Sequence, residues 1–372
     1  MIKKLIFCGL VIHICVVLGD GICNDCMEYT KCKAAFDHAT LKRDRETMQL
    51  FSKAYCGMGN ENGEMIHKVC CSFFPSLHRM TTIDSRSGIS KDHLLPETCG
   101  SILGNRIFGG QYAKLYEFPW MALISYNTRS GPQFECSGTI INSKYILTAA
   151  HCVVDKTILG VRIGEFDISS DEDCEYEPSL SPVCEKHIQD MRVKMAIPHS
   201  EYRPMPPTND IALLRMEDKI DLSFTNVEPI CLPITPELQN TVLEYKTGTV
   251  AGWGMTETGR EATKLMKVDF PVKSNSDCKM YFRNMLNQYP NAQWNETMKT
   301  MKNQICGGES GKDSCSGDSG GPLMIKNIYK EVSRYVQYGV VSHGPKRCGS
   351  DTPGYYTDVT KYINWILDNI TD

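Results

Sequence analysis

From Ile107 onward the apolar residues come in short runs: Met121–Tyr126, Gly138–Ile141, Tyr145–Leu147, Thr247–Ala251 and Tyr335–Ser342. The runs are rich in Val, Ile, Tyr and Thr and are bounded by Gly, Pro, Asn or Asp, which is the pattern of β-strands. Short strands repeated over roughly 260 residues predict a barrel or a sandwich. The last stretch is different. Val359, Tyr362, Ile363, Ile366 and Ile370 recur at helical spacing after Asp358, a suitable N-cap, and predict a terminal amphipathic helix. At the other end an apolar run, Leu5 to Leu18, follows Ile2-Lys3-Lys4 and leads to small residues at Val17 and Gly19. This reads as a signal peptide over 1–19, cut near Gly19-Asp20. An uncleaved anchor is the competing reading, but a bilayer needs about 20 apolar residues and the run is shorter. No later stretch is apolar enough to span a membrane.

The segment between differs in composition. Cys23 to Cys71 holds six cysteines in about fifty residues, too small a unit to build much core without covalent staples. Ser72 to about Gly104 is polar and loop-like. The whole chain of 372 residues has 18 cysteines; Cys8 and Cys15 fall in the leader and sixteen remain. An even number in an exported chain argues for disulfides over metal thiolates, and no cysteine pairs stand at zinc-finger spacing beside a matching histidine pair. The formal net charge of -4 argues against nucleic acid or an acidic membrane surface as the main partner. There is no internal repeat and no low-complexity tract.

Three short strings carry candidate chemistry. In Gly317-Asp318-Ser319-Gly320-Gly321-Pro322 a serine sits between glycines, where a tight turn can expose it. The string also fits G-x-S-x-G, the nucleophile elbow of α/β-hydrolases. That fold needs the acid and the histidine after the serine; here His343 is the one histidine that follows, and strand–helix alternation is missing. Leu147-Thr148-Ala149-Ala150-His151-Cys152 holds a histidine between small residues and a cysteine. Asn209-Asp210-Ile211-Ala212-Leu213-Leu214 sets an aspartate against an apolar run that would draw it inward. A buried carboxylate needs donors, and an imidazole N–H is one. An ordinary turn aspartate and a surface histidine are the plain alternatives.

In the order His, Asp, Ser on an all-β exported chain, these strings resemble the chymotrypsin–trypsin serine proteases. Residues 23–106 resemble the amino-terminal part of an arthropod clip-domain protease. The resemblance implies two six-stranded antiparallel β-barrels with a C-terminal helix, preceded by a small disulfide-rich clip domain. It divides the chain into a clip domain at 23–71, a linker and activation segment at 72–106 and a protease domain at 107–372. By the same resemblance His151, Asp210 and Ser319 are the catalytic residues, and the N–H groups of Gly317 and Ser319 form the oxyanion hole. Asp313, six residues before Ser319, is the floor of the primary specificity pocket and selects Arg or Lys, with Ser342, Gly344 and Gly354 also lining that pocket. The family usually has Ser-Trp-Gly where this chain has Ser342-His343-Gly344, a departure that bears on subsite preference.

Asn105-Arg106-Ile107-Phe108-Gly109-Gly110 resembles an activation site: a cut after Arg106 would free Ile107 to pair with Asp318. The implied disulfides are Cys23–Cys70, Cys26–Cys56 and Cys32–Cys71 in the clip part. In the protease part they are Cys136–Cys152, Cys174–Cys184, Cys278–Cys306 and Cys315–Cys348, with Cys99–Cys231 tying the two parts. Spacing alone leaves fifteen pairings open for six cysteines. In related proteases the acid-rich loop from Glu165 to Asp190 can hold structural calcium, for which Glu165 and Asp190 are candidate ligands; a solvated acidic loop is the alternative. No cofactor is required for catalysis. Asn295-Glu296-Thr297 and Asn369-Ile370-Thr371 are acceptor patterns for N-glycans. The implied setting is an extracellular, haemolymph-like fluid. The implied partners are a protein substrate (a zymogen or cytokine precursor), an upstream activating protease and a serpin-type inhibitor. Two other readings remain: a non-catalytic clip protein, which usually lacks a triad residue, and a digestive enzyme, for which the clip part has no purpose.

Overall fold

The computed structural model describes residues 26–28, 31–32, 35, 54–61, 64–71, 91–102, 112–176, 181–205, 207–256, 259–286, 303–309, 317–345 and 352–371. The chain divides into two compact units, Met1–Ile89 and Ser90–Asp372.

In the first unit three antiparallel strands, β1 (Cys26–Glu28), β2 (Tyr55–Glu61) and β3 (Glu64–Cys70), lie in the order β1-β3-β2. Its core is small: Cys32, Ala35, Ala54 and Val69, with Met27 and Cys71 packed on it. Disulfides Cys26–Cys56 and Cys32–Cys71 span 30 and 39 residues. Loops of that size are worth about 3–4 kcal/mol each through the unfolded chain, which offsets the thin core. Cys70 is also disulfide-bonded; Cys23 lies outside the described residues.

The second unit is built on two sheets. The first contains β4 (Met121–Thr128), β5 (Gly131–Asn142), β6 (Tyr145–Thr148) and β7 (Ile158–Ile163). After the small hairpin β8 (Asp173–Glu175) and β9 (Val183–Glu185) come β10 (Gln189–Met191) and β11 (Val193–Pro198), then the hairpin β12 (Arg203–Pro204) and β13 (Pro207–Thr208), then β14 (Ala212–Met216). The order is β10-β7-β4-β5-β6-β14-β11. Seven segments thus stand where six strands were expected. The difference is one bend: β10 and β11 are a single path broken at Arg192, whose start pairs with β7 and whose end pairs with β14. That path joins the two edges and closes the barrel, leaving no free edge between them.

The second sheet has six strands, β15 (Thr247–Gly252), β16 (Met266–Pro271), β17 (Gln304–Gly307), β18 (Pro322–Tyr329), β19 (Val332–His343) and β20 (Gly354–Asp358), in the order β16-β15-β18-β19-β20-β17. Its edges meet where Val272 bridges Gly307 and Lys273 N–H donates to Cys306 O at 2.9 Å. The inward residues are fully buried, among them Ile124, Ile140, Ile146, Leu213, Leu323 and Val340, each contributing about 1.5–3 kcal/mol by leaving water. Between the barrels Trp120 packs edge-on to Phe118 and against Tyr335, with ring centroids 5.9 and 5.7 Å apart, and its indole N–H meets Met324 Sδ at 3.1 Å.

Besides the single helical turn Pro236–Gln239, the described residues of this unit hold the helices α1 (Asn275–Leu286) and α2 (Ile363–Asn369). Asp358 accepts from Thr360 N–H at 3.0 Å, capping the short turn Val359–Lys361 that leads into α2. Val359, Tyr362, Ile363, Ile366 and Ile370 are all buried, as their spacing predicts. The stretch 91–102, polar by composition and placed in the linker by the resemblance, is built into this unit. Cys99 bonds Cys231. Gly100 N–H donates to Pro229 O, and Gly100 O accepts from Tyr335 N–H, both at 2.8 Å. Lys91 Nζ donates to the carbonyls of Asp368 and Ile370 at the end of α2, at 3.2 and 3.3 Å, where a cation also meets the negative end of the helix dipole.

Candidate active site

Two facts of local sequence place His151. β6 is buried throughout, and the alanines after it, Ala149 and Ala150, are fully buried, so the chain can turn tightly into the short helix Ala150–Cys152. The Cys136–Cys152 disulfide ties that turn to β5. Asp210 follows the proline-rich hairpin β12–β13. Asn209 before it takes φ 49°, a conformation asparagine tolerates better than most residues, and its side chain accepts from Tyr362 Oη at 2.7 Å. β14 pairs antiparallel with β6, with Ala212 opposite Thr148. His151 and Asp210 therefore leave the same end of one strand pair, although 59 residues separate them.

They meet through two hydrogen bonds. His151 N–H donates to Asp210 Oδ1 at 2.9 Å, and His151 Nδ1 lies 2.8 Å from Asp210 Oδ2. Ser342 Oγ donates to the same Oδ2 at 2.5 Å, and Thr357 Oγ1 donates to the Asp210 carbonyl at 2.8 Å. Asp210 is 1% exposed, while 30% of the His151 side chain faces solvent. Burial alone would raise the Asp210 carboxyl, yet the bonds and charge from His151, with the Ser342 hydroxyl, hold it below the usual aspartate range. The pair is thus an ionised acid gripping an imidazole from one side, with Nε2 at the other edge 3.6 Å from Cys152 Sγ.

Ser319 arrives from the second barrel, in the turn before β18. Ser137 N–H donates to Ser319 O at 2.8 Å, and Gly320 N–H to Val341 O at 2.9 Å. Gly320 has φ 78°, and a Cβ there would collide with Thr148 Oγ1 and Ser137 O; only glycine lets the turn press on the end of β6, three residues before His151. Gly317 has φ 98°, and a Cβ would lie 2.8 Å from Gly254 Cα, so glycine is needed there too. Asp318 Oδ1 accepts from Gly254 N–H at 3.0 Å. Among the described residues no hydrogen bond joins Ser319 Oγ to the His151 ring. Catalytic hydrogen bonds are often long without substrate and tighten when it binds.

The family model described as Trypsin matches residues 107–366. The chain belongs to the trypsin family. It is a serine endopeptidase of the clip-domain kind. It is 35% identical to Serine protease ea of Drosophila melanogaster over 93% of this chain and 88% of that one. It is 34% identical to CLIP domain-containing serine protease HP8 of Bombyx mori over 99% and 97%. The crystal structure of the Drosophila Grass clip serine protease of the Toll pathway superposes with a TM-score of 0.63 at 30% identity, covering 92% of this chain and 93% of that one.

The protease places its other candidate residues as follows. Ser342, assigned by resemblance to the substrate pocket, spends its hydroxyl on Asp210, a role the sequence did not signal. Gly344 is exposed just after β19, and Gly354 is buried at the start of β20. His343 stacks on Tyr355 with ring centroids 4.9 Å apart and planes 8° from parallel. Asp313, Arg106, Ile107, Asn295 and the Cys315–Cys348 pair lie outside the described residues. Disulfides form at Cys136–Cys152, Cys174–Cys184, Cys278–Cys306 and Cys99–Cys231. Asn369 is half-buried and its side-chain amide donates to Trp365 O at 2.8 Å.

The calcium reading does not fit the side chains present. Arg162 grips Asp190 with two bonds of 2.8 Å and reaches Glu165 Oε2 at 3.3 Å. A guanidinium already pairs with both candidate carboxylates, a charge that a calcium ion binding them would have to displace. Glu165 is otherwise held by Phe166 N–H at 2.9 Å. Burial first, and then the nearby Asp173 charge, push its carboxyl up. Tertiary pairing of β7 with β10, which sets Arg162 opposite Asp190, is what the sequence reading missed. Nor do Cys136, His151 and Cys152 form a metal site, despite their proximity: both sulfurs are in one disulfide and offer no thiolate.

Proposed function

We propose that the protein is exported as an inactive precursor, is cut after Arg106, and then cleaves a protein partner after arginine or lysine in an extracellular protease cascade. The observation that carries the catalytic part is the buried Asp210 carboxylate bonded at once to the backbone and the ring of His151. Ser319 Oγ is a weak nucleophile until a base takes its proton. With Nδ1–H donated to Asp210, His151 presents its Nε2 lone pair as that base. Ser319 Oγ attacks the scissile carbonyl while its proton passes to Nε2; the imidazolium, stabilised by Asp210, then returns the proton to the leaving amine. The N–H groups of Gly317 and Ser319 steady the oxyanion, each such donor being worth about 2.7–4 kcal/mol in comparable sites.

Specificity and activation rest on position in the sequence. Asp313, six residues before Ser319, supplies a carboxylate that pairs with a guanidinium or ammonium. The new ammonium of Ile107 pairs with Asp318, whose carboxylate already bonds Gly254 N–H next to the serine turn. An ion pair that exists only after the cut makes a switch. Cascade membership is supported by the Grass protease's place in the Toll pathway. A serpin-type inhibitor and a zymogen or cytokine precursor are the matching partners. Ser319→Ala tests the reading: the variant, cut at Arg106, should hydrolyse no arginyl amide and show no acyl-enzyme burst, and retained turnover would refute it.

A further inference from the structure

His343 stands where the family usually carries tryptophan, and its ring is not spent on shape alone. It stacks flat on Tyr355 of β20 and meets Phe282 of α1 edge-on, with centroids 6.5 Å apart. These contacts fix the plane of the imidazole. In that plane Nδ1 lies 3.2 Å from Ser342 Oγ, the hydroxyl that also bonds Asp210 Oδ2 at 2.5 Å. His343 Nε2 is buried and, among the described residues, has no hydrogen-bond partner.

Proton counting fixes the direction of this chain. An ionised carboxylate only accepts, and a hydroxyl has one hydrogen to give. The short bond to Asp210 takes that hydrogen. Ser342 Oγ can therefore only accept from His343, whose Nδ1 must carry the ring proton. Nε2 is then a bare acceptor, and a buried acceptor without a partner is less costly than a buried donor without one. Burial first lowers the ring to about 4, with Asp210 raising it and His151 lowering it further, so it is neutral when the enzyme works. Among the described residues the titratable groups facing it are Asp210, His151 and the stacked Tyr355; Phe282 closes the α1 side without charge.

We propose that His343 is a positioning residue that, through Nδ1–H and the Ser342 hydroxyl, draws charge from Asp210 and so lowers the basicity of His151. The proposal rests on the catalytic reading of His151 and Asp210 above. A donor behind Ser342 makes its hydroxyl a stronger donor to Asp210, and a carboxylate with less free charge stabilises the His151 imidazolium less. Cooperative strengthening of about 10–30% along such a chain, applied to a charge-assisted bond, corresponds to a move of about 0.3 pH unit in the acid limb of kcat/KM. An indole at this position has no nitrogen at the Nδ1 site and cannot do this.

The test uses the full chain after the activating cut, with kcat/KM for an arginyl amide followed against pH and active sites counted by acyl burst. His343→Phe keeps a stacking ring and removes the donor, His343→Gln moves its amide to the Nε2 position, and His343→Asn keeps an N–H where Nδ1 was. The acid limb should move up by about 0.3 unit in the Phe and Gln variants and stay in place in the Asn variant. If His343→Phe does not fold, the Gln and Asn pair decides alone. An unmoved limb in the donorless variants overturns the proposal, and so does an equal shift in all three, which would make ring shape the cause. Activity surviving in Ser319→Ala would instead sink the catalytic reading itself, and this inference with it.

Discussion

Replacing Asp210 by asparagine changes one oxygen to an amide nitrogen in a site that has no spare acceptor. Asp210 receives His151 N–H, His151 Nδ1–H and Ser342 Oγ–H at 2.9, 2.8 and 2.5 Å. Asparagine has one carbonyl oxygen and two N–H donors, so with the nitrogen in place of Oδ2 neither group on that atom can go on donating to it. If the amide faces His151, Nδ1 becomes the acceptor, the proton moves to Nε2, and the base that should receive the Ser319 proton is gone. In enzymes of this fold the same change lowers kcat about 10⁴-fold, or about 5.4 kcal/mol of barrier. We expect a loss of that order in kcat for burst-titrated, activated Asp210→Asn on an arginyl amide, with KM little changed. A loss smaller than about tenfold, or one in KM alone, would refute the tautomer argument. Stability gives a second readout. The carboxyl is held below its ordinary 3.8 in the folded chain. Its contribution is therefore fully present above that value and disappears as pH falls through the lower folded-state value. Acid unfolding of the wild type should lose that contribution below about pH 4, and the asparagine variant should lack this part of the pH dependence.

Three further outcomes follow from the other assignments. Arg106→Gln should leave the precursor inert after trypsin treatment, read by arginyl amide hydrolysis; wild-type activity would remove the proposed switch. Asp313→Ser should collapse the preference for arginine over phenylalanine in matched amides, because a pocket without the carboxylate leaves a buried guanidinium unpaired; an unchanged ratio would show that the pocket floor lies elsewhere. After the cut, the Cys99–Cys231 bond should hold the amino-terminal piece to the protease on a non-reducing gel. Reduction or Cys99→Ser should release it, and release from the unreduced wild type would contradict the bond.

Much of this protein can be read locally. Strands β4, β5, β6, β15 and β19 fall on the Val-, Ile- and Tyr-rich runs because alternation and turn residues act over a few positions. The α2 region follows from Asp358 and the spacing of Val359, Tyr362, Ile363, Ile366 and Ile370 for the same reason. His151, Asp210 and Ser319 stand out because each is framed by small or apolar neighbours that hold it in place, and the glycines at 317 and 320 mark turns no other residue could make.

What the chain order could not show is which strands lie side by side. The β6–β14 register brings His151 to Asp210. The bent path 189–198 closes the first barrel, and the β7–β10 pairing brings Arg162 against Glu165 and Asp190, where calcium was expected. Ser342 turns to Asp210, and residues 91–102 lock onto the protease, only once both barrels are assembled. Such contacts join residues tens to hundreds of positions apart and are chosen by packing and register across the whole core. No window of sequence carries that choice, so motif and spacing determine the candidates for chemistry while the tertiary fold decides which of them touch.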